Sequence, residues 1–286
     1  MKRIPFAISI FVCLGCNLTL TAEEAEQALE EARVASQALS LSSSSTTISK
    51  EQGSSTIEVE TTFTIGEAVK ERLEKIRDFI RSQVDCAEYE IDEQGTLTVR
   101  YGAVGGEDCE YLGQQYSGTH AIKVQRVTED EVVVSHNFSN FSNQKVTVSG
   151  WADVTWDREK ESRRIEHELR WQAKGGLDAR GGEGSGDRTQ TVLDGGLLEG
   201  IRVDGEHEWE GKSGSWFLEI DAIEMRWIDP VPQDGLWRLT TPFDEKQLTL
   251  SFEREDADTI EVTAKTTRRS YTFFVTGAGG RITREQ

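Results

Sequence analysis

The chain is poor in the residues that most often carry chemistry. It has 4 histidines, 4 cysteines and 2 methionines among 286 residues. No two histidines sit four apart on a helical stretch, which removes the zinc-protease pattern. No serine lies in a nucleophile-elbow context, and no GxGxxG follows a strand and opens a helix. The 4 prolines are also few, and Pro230, Pro232 and Pro242 fall in connections, so regular elements meet little interruption. No apolar run reaches the roughly 20 residues that a membrane-spanning helix needs. Positive charge is in deficit: Lys and Arg number 32 against 51 Asp and Glu, a net charge of −19. Such a surface repels nucleic-acid phosphates and anionic headgroups, which argues against a nucleic-acid partner and leaves cationic, neutral or divalent-metal ligands.

What is present begins at the first residues. Lys2 and Arg3 precede an apolar run from Ile4 to Leu14, and Gly15-Cys16 follow. A basic start, about a dozen apolar residues and a small residue before the cut have the layout of a secretory signal. The residues Cys13-Leu14-Gly15-Cys16 resemble a bacterial lipobox, with Cys13 where the pattern usually has Leu. The resemblance implies cleavage before Cys16 and lipid on that cysteine, and Asn17 in place of Asp favours the outer membrane or cell surface. The alternative is an ordinary signal cut after Thr21-Ala22, releasing a soluble secreted or periplasmic protein. Removing residues 1–15 takes away Lys2 and Arg3 and no acid, which moves the charge from −19 to −21. Cys86 and Cys109 are then the remaining pair, expected to form a disulfide in an oxidising compartment.

Residues 23–40 favour helix but offer a thin apolar stripe, and they run into a Ser- and Thr-rich stretch. Residues 16–55 therefore read as a lipid-anchored tether, ahead of one β-rich domain over 56–286. Thr64-Ile65-Gly66-Glu67 has capping-box spacing, and Val69, Leu73, Ile76, Phe79, Ile80 and Val84 recur at three and four, predicting an amphipathic helix over 66–83. From Glu88 the period becomes two. Strands are expected at 96–101, 120–128, 132–141, 146–155, 165–172, 189–193, 201–209, 215–227, 236–241, 247–253, 259–266 and 270–276, with a long Gly-rich loop from Lys174 to Asp187. The fold class is mainly β: a curved antiparallel sheet or open barrel with one packed N-terminal amphipathic helix, or else a two-sheet sandwich. Val148-Ser149-Gly150 recurs as Val203-Asp204-Gly205, which suggests a duplicated strand–turn–strand unit.

Alternation places His120, His136, His167 and His207 on the apolar side of their strands, as an interior ligand or metal cluster or as four separately satisfied side chains. In Glu166-His167-Glu168 and Glu206-His207-Glu208 the same alternation turns the carboxylates away from the imidazole. Asp178, Glu183 and Asp187 of the Gly-rich loop are calcium candidates, without helix–loop–helix calcium spacing. Trp151 falls on the polar side, where it could stack on a sugar, as could Phe138 and Phe141. No cofactor is implied.

The Glu/Ala- and Ser-rich leader, the single cysteine pair and segments such as Gly186-Asp187-Arg188-Thr189-Gln190-Thr191 and Asp229-Pro230-Val231-Pro232-Gln233 resemble cell-envelope lipoproteins of myxobacteria and related soil bacteria. That resemblance implies an envelope location and no activity. The expectation is a non-catalytic envelope lipoprotein whose β domain binds or scaffolds a protein, glycan or lipid. Alternatives are a carrier of lipid or another hydrophobic ligand, and a metal-dependent enzyme using the inward histidines.

Overall fold

The computed structural model describes residues 20–21, the helical positions between 24 and 42 that flank the core, 65–84, 86–102, 109–111, 114–127, 131–157, 159–174, 181–194, 200–226, 229, 231–276 and 281–284. Cys16, most of the Ser-rich stretch and Asp178 lie outside these residues.

The strands are β1 (Ala87–Ile91), β2 (Thr96–Tyr101), β3 (Cys109–Tyr111), β4 (Gln114–Val127), β5 (Glu131–Ser142), β6 (Val146–Asp157), β7 (Ser162–Ala173), β8 (Gly181–Val192), β9 (Ile201–Gly211), β10 (Gly214–Met225), β11 (Asp234–Thr240), β12 (Gln247–Arg254), β13 (Thr259–Lys265), β14 (Ser270–Thr276) and β15 (Arg281–Arg284). They form one antiparallel meander in chain order, with β3 pairing off the path against β4. The sheet is open rather than closed into a barrel. Register shifts in β4–β5, β5–β6 and β9–β10 add local twist. Every expected strand has a counterpart here. The Cys86–Cys109 disulfide forms, with Cα atoms 5.4 Å apart, and ties the start of β1 to β3. Closing that loop contributes on the order of 3 kcal/mol.

Two helices cover the core-facing side of this sheet. α1 is the helical segment between 24 and 42, and α2 spans Ile65–Gln83. In α2, Leu73, Ile76 and Ile80 are fully buried, and the helix packs on β1, β2 and β4. The expectation of a tether over 16–55 fails where α1 is concerned. Thr21 and Glu24 make a reciprocal capping box: Thr21 N–H donates to Glu24 Oε2 at 2.7 Å and Glu24 N–H to Thr21 Oγ1 at 3.1 Å. Ala28, Val34, Ala35, Ala38 and Leu39 are then buried in the same core as the strands, as is Leu20. Alanines carry little hydrophobicity each, so the stripe looks thin in sequence, yet their small side chains let helix and sheet approach closely.

The expected loop over 174–187 is half strand, because β8 starts at Gly181. Its glycines alternate, and the reason is steric. A Cβ on Gly184 would lie 2.3 Å from Glu208 O and 2.6 Å from Trp209 Cβ, and one on Gly186 would lie 2.6 Å from Glu206 O and 2.7 Å from His167 Cε1. Large rings on β7 and β9 fill the space in front of β8, so β8 has none to spare. We expect Gly184→Ala and Gly186→Ala each to lower stability by about 1–3 kcal/mol through overpacking. The outward Ser185→Ala should stay within about 0.5 kcal/mol. Urea unfolding of the three variants checks this; equal costs at 184, 185 and 186 would contradict the alternation.

Candidate functional site

The four histidines occupy one part of the core-facing side. The register runs His136, Ala152, His167, Gly186, His207 across β5 to β9, with His120 on the neighbouring row beside Phe138. They meet as two pairs. His120 Nε2 and His136 Nδ1 are 2.9 Å apart, and His167 Nε2 and His207 Nδ1 are 3.2 Å apart. His207 Nδ1 is also 3.0 Å from the Ser185 carbonyl oxygen, to which its N–H donates. Ala152, between His136 and His167 in the row, separates the pairs. The expected four-residue cluster is thus two couples.

Two arginines share this face. Arg163 and Arg188 are buried, and the Arg163 Nε–H donates to Gln190 Oε1 at 2.6 Å while its guanidinium lies 5.1 Å from the Trp156 ring centre. Burial dominates the protonation of every one of these groups. It pushes His120 down to about 3, His167 to about 2 and His207 to about 4, and holds His136 well below its ordinary range. The nearby guanidiniums add to the effect at His136, His167 and His207. Arg163 and Arg188 fall to about 9 and about 10, so both stay cationic at neutral pH. Each couple offers two nitrogens, and among the described residues no three His, Cys, Asp or Glu side chains converge on one point. Zinc sites use three or four protein ligands. Two fixed guanidiniums further disfavour a cation here. The arrangement is a neutral polar layer in a cationic field.

The opposite, solvent-facing side carries a different row. Asn137, Trp151, Glu168, Ser185, Glu208, Phe217 and Thr240 lie abreast from β5 to β11. Trp151 and Phe217 are each 38% exposed, which is unusual for side chains of this size in this protein. They stand four strand spacings apart, about 19 Å. Between them an open groove of about 1180 Å³ is lined by Glu168, Glu208 and Glu210 among others. Ser185 Oγ–H donates to Glu208 Oε1 at 3.3 Å, and Arg170 pairs with Glu183 at 2.9 Å. This is a surface of acceptors bounded by two aromatic faces, with every histidine on the other side of the sheet.

The remaining candidates fall as follows. Glu183 and Asp187 are strand residues of β8 bound to Arg170 and Arg164, so they are not free loop ligands for calcium. Phe138 and Phe141 are buried against His120 and take no part in an exposed stacking surface. Sequence alternation placed Trp151 outward; it passed over Phe217, because β10 is apolar on both sides (Trp216, Phe217, Leu218).

The buried imidazoles make stability depend on pH in a definite sense. All four stay neutral in the folded chain while the unfolded chain protonates them near 6.5. Stability is therefore complete above that value and falls as pH drops below it, by up to about 1.4 kcal/mol per pH unit per histidine. The loss levels off only as the folded-state values, about 4 for His207 and about 3 for His120, are reached. Urea unfolding between pH 7.5 and pH 5 should show this slope, and His136→Gln should reduce it by one histidine's share, about 1.4 kcal/mol per pH unit.

Set beside known proteins, the chain matches no family model, no curated protein and no solved structure.

Proposed function

We propose that the protein is a non-catalytic lipoprotein of the bacterial cell envelope whose β domain is a binding module, with a glycan lying along the solvent-facing groove. The observation that carries the binding reading is the row Trp151, Glu168, Ser185, Glu208, Phe217. An aromatic face accepts the apolar face of a sugar ring. Carboxylates and a serine beside it accept and donate hydrogen bonds to hydroxyls. The carboxylates Glu168, Glu208 and Glu210 repel acidic sugars, so the ligand is neutral or amino-bearing. No imidazole reaches the groove, which leaves it without a nucleophile–base couple of the serine-hydrolase kind. The core-facing side is occupied by α1, α2 and a cationic polar layer, which weighs against a lipid held within the fold.

The helix cap supports cleavage before Cys16 over cleavage after Ala22. A cut at Ala22 would remove both the buried Leu20 and the Thr21 cap of α1, a cap being worth about 1 kcal/mol. A cut before Cys16 leaves both in place.

Two measurements test this reading. In titrations of tryptophan fluorescence with neutral and amino-sugar oligosaccharides, Trp151→Ala and Phe217→Ala should each weaken binding by about tenfold or more, about 1.4 kcal/mol, at unchanged circular dichroism. Wild-type affinity in both variants would remove the groove from consideration. Feeding cells a radioactive fatty acid should label the wild type and leave Cys16→Ser unlabelled, and an unlabelled wild type would mean a soluble secreted protein.

A further inference from the structure

The meander sends its turns alternately to two ends of the sheet, and the two ends differ in charge. One end collects the β5–β6, β7–β8, β9–β10, β11–β12 and β13–β14 connections. Lys145, Lys174, Lys212, Lys265, Arg268 and Arg269 are exposed there, against Glu110 of β3, which pairs with the start of β4 at this end, and Asp244 and Glu245. The other end collects the β1–β2, β6–β7 and β12–β13 turns, with Asp92, Glu93, Glu159, Glu161, Glu255, Asp256 and Asp258 against Lys160. In a chain of net charge −19, exposed basic residues outnumber acidic ones among the described turn residues at one end, and acidic ones predominate at the other.

The start of α1 is pinned to that same end. Glu24, in the first turn of α1, pairs with Lys246 of the β11–β12 turn at 3.0 Å, and Gln27 hydrogen-bonds Ser213 of the β9–β10 turn. Leu20 is buried just before the helix. Leu20 is four residue steps from Cys16, a reach of at most about 14 Å when fully extended.

We propose that the basic end of the sheet is a membrane-docking surface for anionic lipid headgroups, which fixes the orientation of the domain on the bilayer. This rests on the reading that Cys16 carries lipid. A spacer of some forty residues would leave the domain free to tumble; the short leash does not. Each exposed Lys or Arg near an anionic leaflet is attracted to it, over a range set by the Debye length of about 8 Å. The central strands of 12 residues span about 40 Å, so the acidic end stays outside that range when the basic end is down. The groove reaches the docking end through Ser213, Pro242 and Glu245, which places a bound ligand close to the membrane plane.

The test uses the full mature lipidated protein on phosphatidylethanolamine vesicles containing a phosphatidylglycerol minority and a lipid-attached nitroxide quencher. A fluorophore is placed at Thr267→Cys, in the β13–β14 turn, or at Ala257→Cys, in the β12–β13 turn. With Cys16 acylated and Cys86 bonded to Cys109, the new thiol is the one available to label. Quenching should be several-fold stronger at 267 than at 257. Combining Lys212→Glu, Arg268→Glu and Arg269→Glu should reduce the difference. Equal quenching at the two ends, or stronger quenching at 257, on acylated protein that sediments with vesicles overturns the orientation alone. A mature N-terminal peptide without diacylglycerol, on protein that stays in the supernatant, overturns the lipid reading and the docking proposal with it.

Discussion

A single open meander of this size has one side that its own strands cannot cover, and burying that side is the constraint on which the rest of the structure depends. α1 and α2 do the covering. Because α1 must reach the sheet closely, its buried positions include the small Ala28, Ala35 and Ala38, and because it must begin beside the sheet's end, it carries its own cap at Thr21 and an ion pair to Lys246. The consequence extends to the chain terminus: a segment that looks like a spacer is part of the core, and whatever precedes Leu20 starts from a fixed place.

The same burial explains the polar layer. Rings on β7 and β9 need depth, and β8 supplies it with glycines at 182, 184 and 186. The imidazoles packed there are desolvated enough to stay neutral far into the acid range, and they hydrogen-bond one another in pairs through one nitrogen of each ring. Arg163 and Arg188 sit beside them with their charge intact, which makes the interior an unpromising place for a metal cation.

Much of this was legible in residue patterns. Between Thr96 and Thr276 period two located all the strands but β3, with β8 found only at its end, and it assigned both the inward histidines and the outward Trp151 correctly, because alternation is a local property of an extended chain. It failed where residue type conflicts with environment. Glycine clustering reads as loop, yet Gly182, Gly184 and Gly186 are strand residues whose missing side chains make room for Trp209 and His167. Phe138 and Phe141 looked available for stacking until their packing against His120 was seen. Phe217 carried no signal, since its neighbours Trp216 and Leu218 are apolar as well.

The sequence by itself determined the fold class, the cysteine pair and the side of the sheet on which each histidine lies, since these follow from periodicity and from the count of partners. Pairing of the imidazoles, alignment of Trp151 with Phe217 and the excess of exposed cations at one end belong to the tertiary structure. Each depends on strand order and register, which bring residues dozens of positions apart onto one row or one edge. Net charge illustrates the difference: −19 describes a chain that should avoid anionic membranes, and the meander's alternating turns are what give it a basic end.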